Sequence, residues 1–217
     1  MFRRFAPWAL LWLAASPTLA QTADPVAAGQ IRTEATTPAS APRPATVRVS
    51  LQTSEGAIVL ELEAERAPVT TANFLRYVEG KRLDGVAIYR ATKVAPDFGL
   101  IQGGVRNDPK RVLPPIAHEP TSVTGLSHVD ATISMARAAP GSANGDFFIT
   151  VGAMPSLDAD PSQPGDNLGF AAFGHVAEGM DVVRRILDSP TSPTEGEGAM
   201  KGQILAVPVR ILAARRD

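Results

Sequence analysis

The 217-residue chain contains no cysteine, which excludes disulfide bonds, thiolate metal ligands and a cysteine nucleophile. Its three histidines, His118, His128 and His175, are not spaced as zinc ligands are, so no metal site is expected. Basic residues (21) and acidic residues (22) nearly balance, which excludes the strong positive charge of a non-specific nucleic-acid-binding protein.

The first 20 residues have the pattern of a signal peptide. Arg3 and Arg4 precede an apolar stretch at 5–15, and Thr18-Leu19-Ala20 has the small-x-small form of a cleavage site. The apolar stretch is shorter than the roughly 20 residues of a membrane-spanning helix. No cysteine follows it, which excludes a lipoprotein anchor. We therefore expect a protein secreted to the periplasm, with no membrane anchor.

Two further regions follow the predicted signal peptide. Residues 21–46 are rich in Ala, Thr, Pro and Ser and show no apolar periodicity, which predicts a flexible linker. Residues 47–217 number about 170, which suits a single domain that buries roughly 70% of its unfolded surface.

The pattern of the domain is mostly β. Alternating apolar residues predict eight strands, and apolar residues at helical spacing predict two helices, at 68–80 and 179–188. Strands and helices do not alternate, so the pattern favours a closed eight-stranded antiparallel β-barrel capped by two α-helices over a doubly wound α/β fold. Segment 105–128, with four prolines, is interpreted as an ordered surface loop bordering the site; a missed strand is the alternative. The predicted strands are 47–51, 58–62, 86–91, 99–103, 131–136, 147–151, 170–176 and 203–212.

A predicted hairpin is the most informative segment of the chain. Ile133-Ser134-Met135-Ala136-Arg137-Ala138 leads through a turn containing Pro140 and Gly141 to Asp146-Phe147-Phe148-Ile149-Thr150-Val151. Together with segments 67–75, 89–90, 100–104 and 173–183, this hairpin resembles the cyclophilin-type peptidyl-prolyl isomerases, in particular the exported bacterial ones. The resemblance covers residues 47–212. It implies the cyclophilin-like barrel and a monomeric isomerase that acts on proline-containing polypeptides without a cofactor.

The reaction implied by the resemblance is rotation about an X-Pro amide bond. Its barrier is about 18–20 kcal/mol because rotation breaks the amide resonance. No covalent bond is cleaved, so the reaction requires a dry apolar slot and donors that favour the twisted amide. In that state the prolyl nitrogen regains its lone pair, which a fixed guanidinium can stabilise. Arg90 matches the catalytic arginine of the family, although simple strand alternation places it on the face of Val86 and Ile88.

The resemblance also implies a set of substrate-binding residues. Gln102 matches the glutamine that binds substrate backbone, and Phe148 matches the aromatic floor of the proline pocket. Ala136, Arg137 and Ala138 would offer backbone groups to an extended peptide. A core phenylalanine would show the same pattern as Phe148, and core packing is an equally ordinary explanation for Leu100 and Leu157. The remaining matches are Leu100, Leu157, Phe170 and the pocket phenylalanine, assigned to Phe98 with Gly99 as the alternative.

The chain departs from the family pattern at a few positions. The spacing between Arg90 and Gln102 is longer than usual. Asp146 stands where many members have a glutamine, and Ser156 stands where cyclosporin-sensitive members have a tryptophan. The predicted function is therefore peptidyl-prolyl isomerisation in exported or folding proteins. The alternative is a catalytically weak member that uses the same groove as a peptide-binding chaperone or scaffold.

Overall fold

The structure, a computed structural model, describes residues 45–217. The predicted signal peptide at 1–20, and residues 21–44 of the predicted linker, lie outside the described residues. No helix within 45–217 is long and apolar enough to cross a membrane.

The described chain forms a closed barrel of eight strands in the order β1-β2-β7-β5-β6-β4-β3-β8. Every neighbouring pair in this order is antiparallel. The predicted barrel class and all eight predicted strands are therefore confirmed. The strands are β1 (Val47–Thr53), β2 (Gly56–Leu62), β3 (Ala87–Ala95), β4 (Phe98–Gly104), β5 (Thr132–Met135), β6 (Phe147–Val151), β7 (Ala171–Glu178) and β8 (Ile204–Arg216).

The helix count differs from the prediction. The two expected helices are present as α1 (Pro68–Glu79) and α3 (Met180–Leu187), but a third, α2 (Thr121–Thr124), lies inside the 105–128 loop. Pro120 precedes this single turn, and Gly125 ends it in the left-handed conformation at φ 67°. One turn is too short to produce a helical apolar period, which is why the sequence pattern does not reveal it. Two short 3₁₀ turns, Pro155–Leu157 and Gly198–Met200, also lack a sequence signal of this kind.

The barrel interior and the helix-covered ends are filled by apolar side chains. Phe74 of α1 contacts Phe147 edge-on, with ring centroids 5.6 Å apart, and lies 5.3 Å from the Phe173 ring. These three rings are at most 2% exposed. Small barrels are filled in this way, so the surface available to a polypeptide is the outer face of the barrel.

A bulge in β3 decides which face carries the predicted catalytic arginine. Ile88 pairs with Gly103, whereas Arg90 pairs with Gln102, so Tyr89 is an extra residue in the ladder. Because of the extra residue, Ile88 and Arg90 point to opposite faces of the sheet. Ile88 points into the barrel, where it is fully buried, and Arg90 points to the outer face. The expectation that Arg90 shares a face with Ile88 is therefore wrong, because simple alternation does not survive a bulge.

Candidate functional site

Three of the predicted site residues lie in one row across the outer face of the barrel. Arg90 on β3 pairs with Gln102 on β4, and Gln102 pairs with Phe148 on β6. Arg90 Nη1 donates a hydrogen bond of 2.7 Å to Gln102 Oε1. The structure thus brings together a guanidinium, a carboxamide and an aromatic ring on neighbouring strands.

An apolar patch surrounds Phe148, whose side chain is 4% exposed. The Phe170 ring meets it edge-on, with centroids 5.4 Å apart and planes at 88°. Phe170 N donates to Leu157 O at 2.9 Å, which holds the predicted pocket residue Leu157 beside the same patch. Phe148, Leu157 and Phe170 are therefore grouped, as a proline ring would require.

The segment Ala136–Ala138 borders a groove of about 440 Å³ that Gln102 also lines. The amide groups of Ala136 and Ala138 donate to Asp146 O and Ser142 Oγ respectively. In the described part of the chain the Arg137 amide has no such acceptor, so it can pair with an extended peptide.

The Arg137 side chain, unlike its backbone amide, forms contacts within the protein. It is only 5% exposed and forms a two-pronged pair with Asp166 at 2.9 and 3.0 Å. It also donates to Gly169 O, and its guanidinium carbon lies 5.2 Å from the centre of the Phe170 ring. Arg137 therefore ties the loop before β7 to the groove wall and holds Phe170 in place.

The sequence assigns the pocket phenylalanine to Phe98, with Gly99 as the alternative. Gly99 faces the barrel interior, because a Cβ there would lie 2.2 Å from Thr92 O and 2.9 Å from Leu187 Cδ1. Phe98 shares the outer face with Leu100 and Gln102, and its ring lies against Gly152. Gly152 is four residues beyond Phe148, or about 13 Å along a strand. The structure thus places Leu100 next to the row and Phe98 further along β4, away from Phe148.

A hydrogen-bonded chain fixes Gln102 from the side opposite to its Arg90 contact. Gln102 Nε2 donates to Tyr89 Oη at 2.8 Å, and Tyr89 Oη donates to Asp146 Oδ2 at 3.0 Å. Asp146 Oδ1 accepts from the Arg106 amide at 2.8 Å. Burial raises the pKa of both Tyr89 and Asp146, and the Asp146 carboxylate raises that of Tyr89 further. Tyr89 therefore remains a neutral donor, which sets the orientation of the Gln102 carboxamide.

Sequence reasoning missed the role of Tyr89 as well as the role of Asp146 as its acceptor. In the sequence, Asp146 stands out only as a departure from a family glutamine. Tyr89 could have been noticed because it immediately precedes Arg90. The direction of its side chain, however, depends on the bulge in β3, which the sequence pattern does not show.

A second buried chain supports Phe148 from behind. Ser134 Oγ and His128 Nε2 are 3.0 Å apart, and His128 Nδ1 lies 2.5 Å from Asp158 Oδ1. The imidazole is nearly parallel to the Phe148 ring, with centroids 5.8 Å apart. Ser134 is fully buried, so no substrate reaches its hydroxyl, and the Ser-His-Asp order does not form a hydrolytic site. Its effect is to fix the imidazole ring beneath Phe148.

The buried imidazole makes stability depend on pH. Burial lowers the pKa of His128 below its usual 6.5, although Asp158 opposes the shift. The neutral imidazole is therefore favoured by folding. This contribution is present above about pH 6.5, the usual pKa of the unfolded chain, and is lost as the pH falls from there through the lowered pKa of the folded protein. The free energy of unfolding in urea should decrease more steeply between pH 7 and 5 in the parent protein than in His128→Asn. Equal slopes in the parent and His128→Asn would contradict the assignment.

The pKa of Asp158 is lowered despite partial burial, because it accepts hydrogen bonds from Ser127 and His128. A lowered carboxylate pKa adds stability above about pH 3.8 that is lost at lower pH. The two effects therefore fall in separate pH windows and can be distinguished by titration.

Comparison with known proteins places the chain beside a single family. The family model for "Cyclophilin type peptidyl-prolyl cis-trans isomerase/CLD" matches residues 48–212. Peptidyl-prolyl cis-trans isomerase cyp18 of Streptomyces antibioticus is 40% identical over 151 residues, covering 68% of this chain and 87% of that protein. A peptidyl-prolyl cis-trans isomerase of Acinetobacter baylyi is 35% identical over 175 residues, covering 79% of this chain and 86% of that protein.

Solved structures agree with the fold. A cyclophilin type peptidyl-prolyl cis-trans isomerase of Cryptosporidium parvum superposes with a TM-score of 0.62 at 19% identity, covering 80% of this chain and 98% of that chain. A second structure of that protein, in the presence of the dipeptide Ala-Pro, gives a TM-score of 0.63 at 20% identity, covering 78% of this chain and 98% of that chain.

Proposed function

Because the chain belongs to the cyclophilin-type peptidyl-prolyl cis-trans isomerase family and is such an isomerase, we propose that the row Arg90, Gln102 and Phe148 is its active site. The observation that carries this proposal is the Arg90–Gln102 hydrogen bond beside the Phe148 patch. Arg90 would act on the prolyl nitrogen, and Gln102 would hold both the guanidinium and the substrate backbone.

The chemistry follows from the difference between the planar and the twisted amide. The planar amide nitrogen has no available lone pair, so the guanidinium gains little from the ground state. In the twisted state the nitrogen becomes an acceptor, and a donor already in place stabilises it without rearrangement. The Phe148 and Phe170 rings exclude water from the pyrrolidine, which strengthens the interaction with Arg90.

Burial lowers the pKa of Arg90, with a weaker opposing effect from Tyr89. A guanidinium nevertheless stays protonated at physiological pH because its unperturbed pKa is above about 12. The positive charge proposed to act on the prolyl nitrogen is therefore present at physiological pH.

The enzymatic reading and the peptide-binder reading predict different results in one assay. A protease-coupled assay on an Ala-Pro peptide should show an isomerisation rate that rises in proportion to the concentration of the protein. Peptide binding with the uncatalysed rate, a half-time of tens of seconds, would favour the weak chaperone or scaffold instead. The displacement of Phe98 from Phe148 is the feature that favours that alternative.

The proposed substrates are X-Pro segments of exported or folding polypeptides, and the proposed location is the bacterial periplasm. The support is the signal-peptide pattern of residues 1–20. N-terminal sequencing of protein from a periplasmic fraction should begin at Gln21, and Ala20→Tyr should leave the precursor uncleaved. Intact Met1 in a cytosolic fraction would contradict this proposal.

A further inference from the structure

Gln203, the residue immediately before β8, contacts the Arg90 guanidinium. Its Oε1 accepts a hydrogen bond from Arg90 Nε at 2.8 Å and another from Arg90 Nη2 at 2.5 Å. Thr92 Oγ1 donates to the same oxygen at 2.8 Å. Arg90 is thus held by Gln203 along one edge of the guanidinium, in addition to Gln102 at Nη1.

These contacts leave a defined part of the guanidinium free. A guanidinium carries five N–H bonds, one on Nε and two on each Nη. The two glutamines take three of them, one on each nitrogen. One N–H on Nη1 and one on Nη2 remain, so the donors available to a substrate are both on the two terminal nitrogens.

The Gln203 acceptor is itself fixed by the backbone. Ala91 N donates to Gln203 O at 2.9 Å, and Gln203 N donates to Met200 O at 3.0 Å. The first contact attaches Gln203 to the same strand that carries Arg90, one residue further along. The backbone of Gln203 is therefore held both by the strand that carries Arg90 and by the turn that precedes β8, which fixes its carboxamide beside the guanidinium.

Both residues that hold Arg90 are neutral. A carboxylate in place of either carboxamide would form a salt bridge with Arg90 and reduce the field at the prolyl nitrogen. Two amide oxygens can orient the guanidinium while its full charge remains available to the substrate. This combination suits a group whose role is electrostatic.

We propose that Gln203 is a positioning residue for Arg90, which fixes the direction of the guanidinium and leaves its charge unneutralised. The proposal deepens the function proposed above and rests on the role of Arg90. It assigns two separate properties to the Gln203 side chain: it places an acceptor beside the guanidinium, and it is uncharged. Gln203→Ala removes the acceptor, and Gln203→Glu keeps an acceptor but introduces a negative charge.

The test compares Gln203→Ala and Gln203→Glu in the full mature protein, with exposed Gln52→Ala on β1 as the matched control. Turnover in Gln203→Ala should fall about tenfold or more with KM within twofold, because both hydrogen bonds by which Gln203 fixes the charged guanidinium are lost. Gln203→Glu should also lose turnover, through neutralisation. Gln52→Ala should be unchanged.

The NMR signal of the Arg90 Nε–H separates the two causes. Its exchange with water should be slow in the parent and in Gln203→Glu, and fast in Gln203→Ala. Parent-like turnover in Gln203→Ala would overturn the positioning role, and parent-like turnover in Gln203→Glu would overturn the requirement for neutrality.

A third comparison tests whether Gln203 acts through Arg90 or only supports the fold. It also distinguishes a failure of this inference from a failure of the proposed active site. In an Arg90→Ala background, Gln203→Ala should have no further effect, because no guanidinium remains to be oriented. A further tenfold loss there would overturn the inference. If Arg90→Ala alone kept parent turnover, the proposed active site would fail; if only Gln203→Ala kept it, the inference alone would fail.

Discussion

Replacing Arg90 with alanine should lower turnover by a factor on the order of 10²–10³, as does the loss of one preorganised donor in an acyl-transfer site. The reason is that the guanidinium meets a full acceptor only in the twisted amide. Peptide affinity and thermal stability should change little, because Arg90 is partly exposed on the outer face of the barrel and does not belong to the apolar core. The measurement is kcat and KM in the protease-coupled assay, together with a thermal unfolding curve.

Arg90 cannot supply the whole rate enhancement. An acceleration of about 10⁵ requires roughly 7 kcal/mol, whereas a hydrogen bond to a charged group contributes about 1.5–3 kcal/mol. In the proposed active site, the apolar patch around Phe148 and the backbone of the groove would have to provide the rest. Arg48→Ala is the matched control, since Arg48 is an exposed strand arginine whose side-chain partners within the described residues are the surface acids Glu178 and Asp217. If Arg90→Ala keeps more than half of the parent activity while the control is unchanged, the assigned role is wrong.

Gly104→Ala should strongly destabilise the fold and should also impair the site. Gly104 has φ 138°, and an added Cβ would lie 2.4 Å from both Asp146 Oδ1 and Gly145 O. Backbone strain of this kind costs about 1–3 kcal/mol, and the steric overlap adds to it. We expect a loss of at least about 3 kcal/mol, or a melting temperature roughly 6–12 °C lower.

The same substitution must displace Asp146, which accepts from Tyr89 and thereby orients Gln102. Turnover should therefore fall even below the melting temperature. Gly198→Ala is the control, because Gly198 has φ 55° and open space around its Cβ position. It should cost only the left-handed strain, about 1–2 kcal/mol. Equal urea unfolding curves for the two variants would show that the overlap of the added Cβ at position 104 with Asp146 and Gly145 does not lower the free energy of unfolding.

The barrel could be predicted because its strands keep an inward apolar face along most of their length. β1 and β2 illustrate this, with Val49, Leu51, Ile58 and Leu60 fully buried at alternate positions. The apolar pattern predicts that the last strand ends at Leu212, but β8 runs to Arg216, where polar residues continue the ladder with β1. Hydrogen bonding to a neighbouring strand, which is a long-range property, sets that end.

The site was only partly predictable. Arg90, Gln102 and Phe148 could be chosen by resemblance, but the face of Arg90 depends on a bulge that no alternation pattern contains. Gln203 is distant in sequence and meets Arg90 only through the β3–β8 pairing. From the sequence, His128 could be considered only as a metal ligand. Its position beside the Phe148 ring becomes visible only in the folded structure. Residues that support a site from another strand leave no local pattern in the sequence.

The central claim is that Arg90 stabilises the twisted amide and not the bound peptide. The most direct test is NMR on the parent and on Arg90→Ala, in which an Ala-Pro peptide is titrated and its cis–trans exchange rate is measured in the same samples. We predict peptide dissociation constants within about threefold of each other and an exchange rate lower in the variant by about 10² or more. Affinity and exchange rate falling by the same factor, or an unchanged exchange rate, would contradict the account.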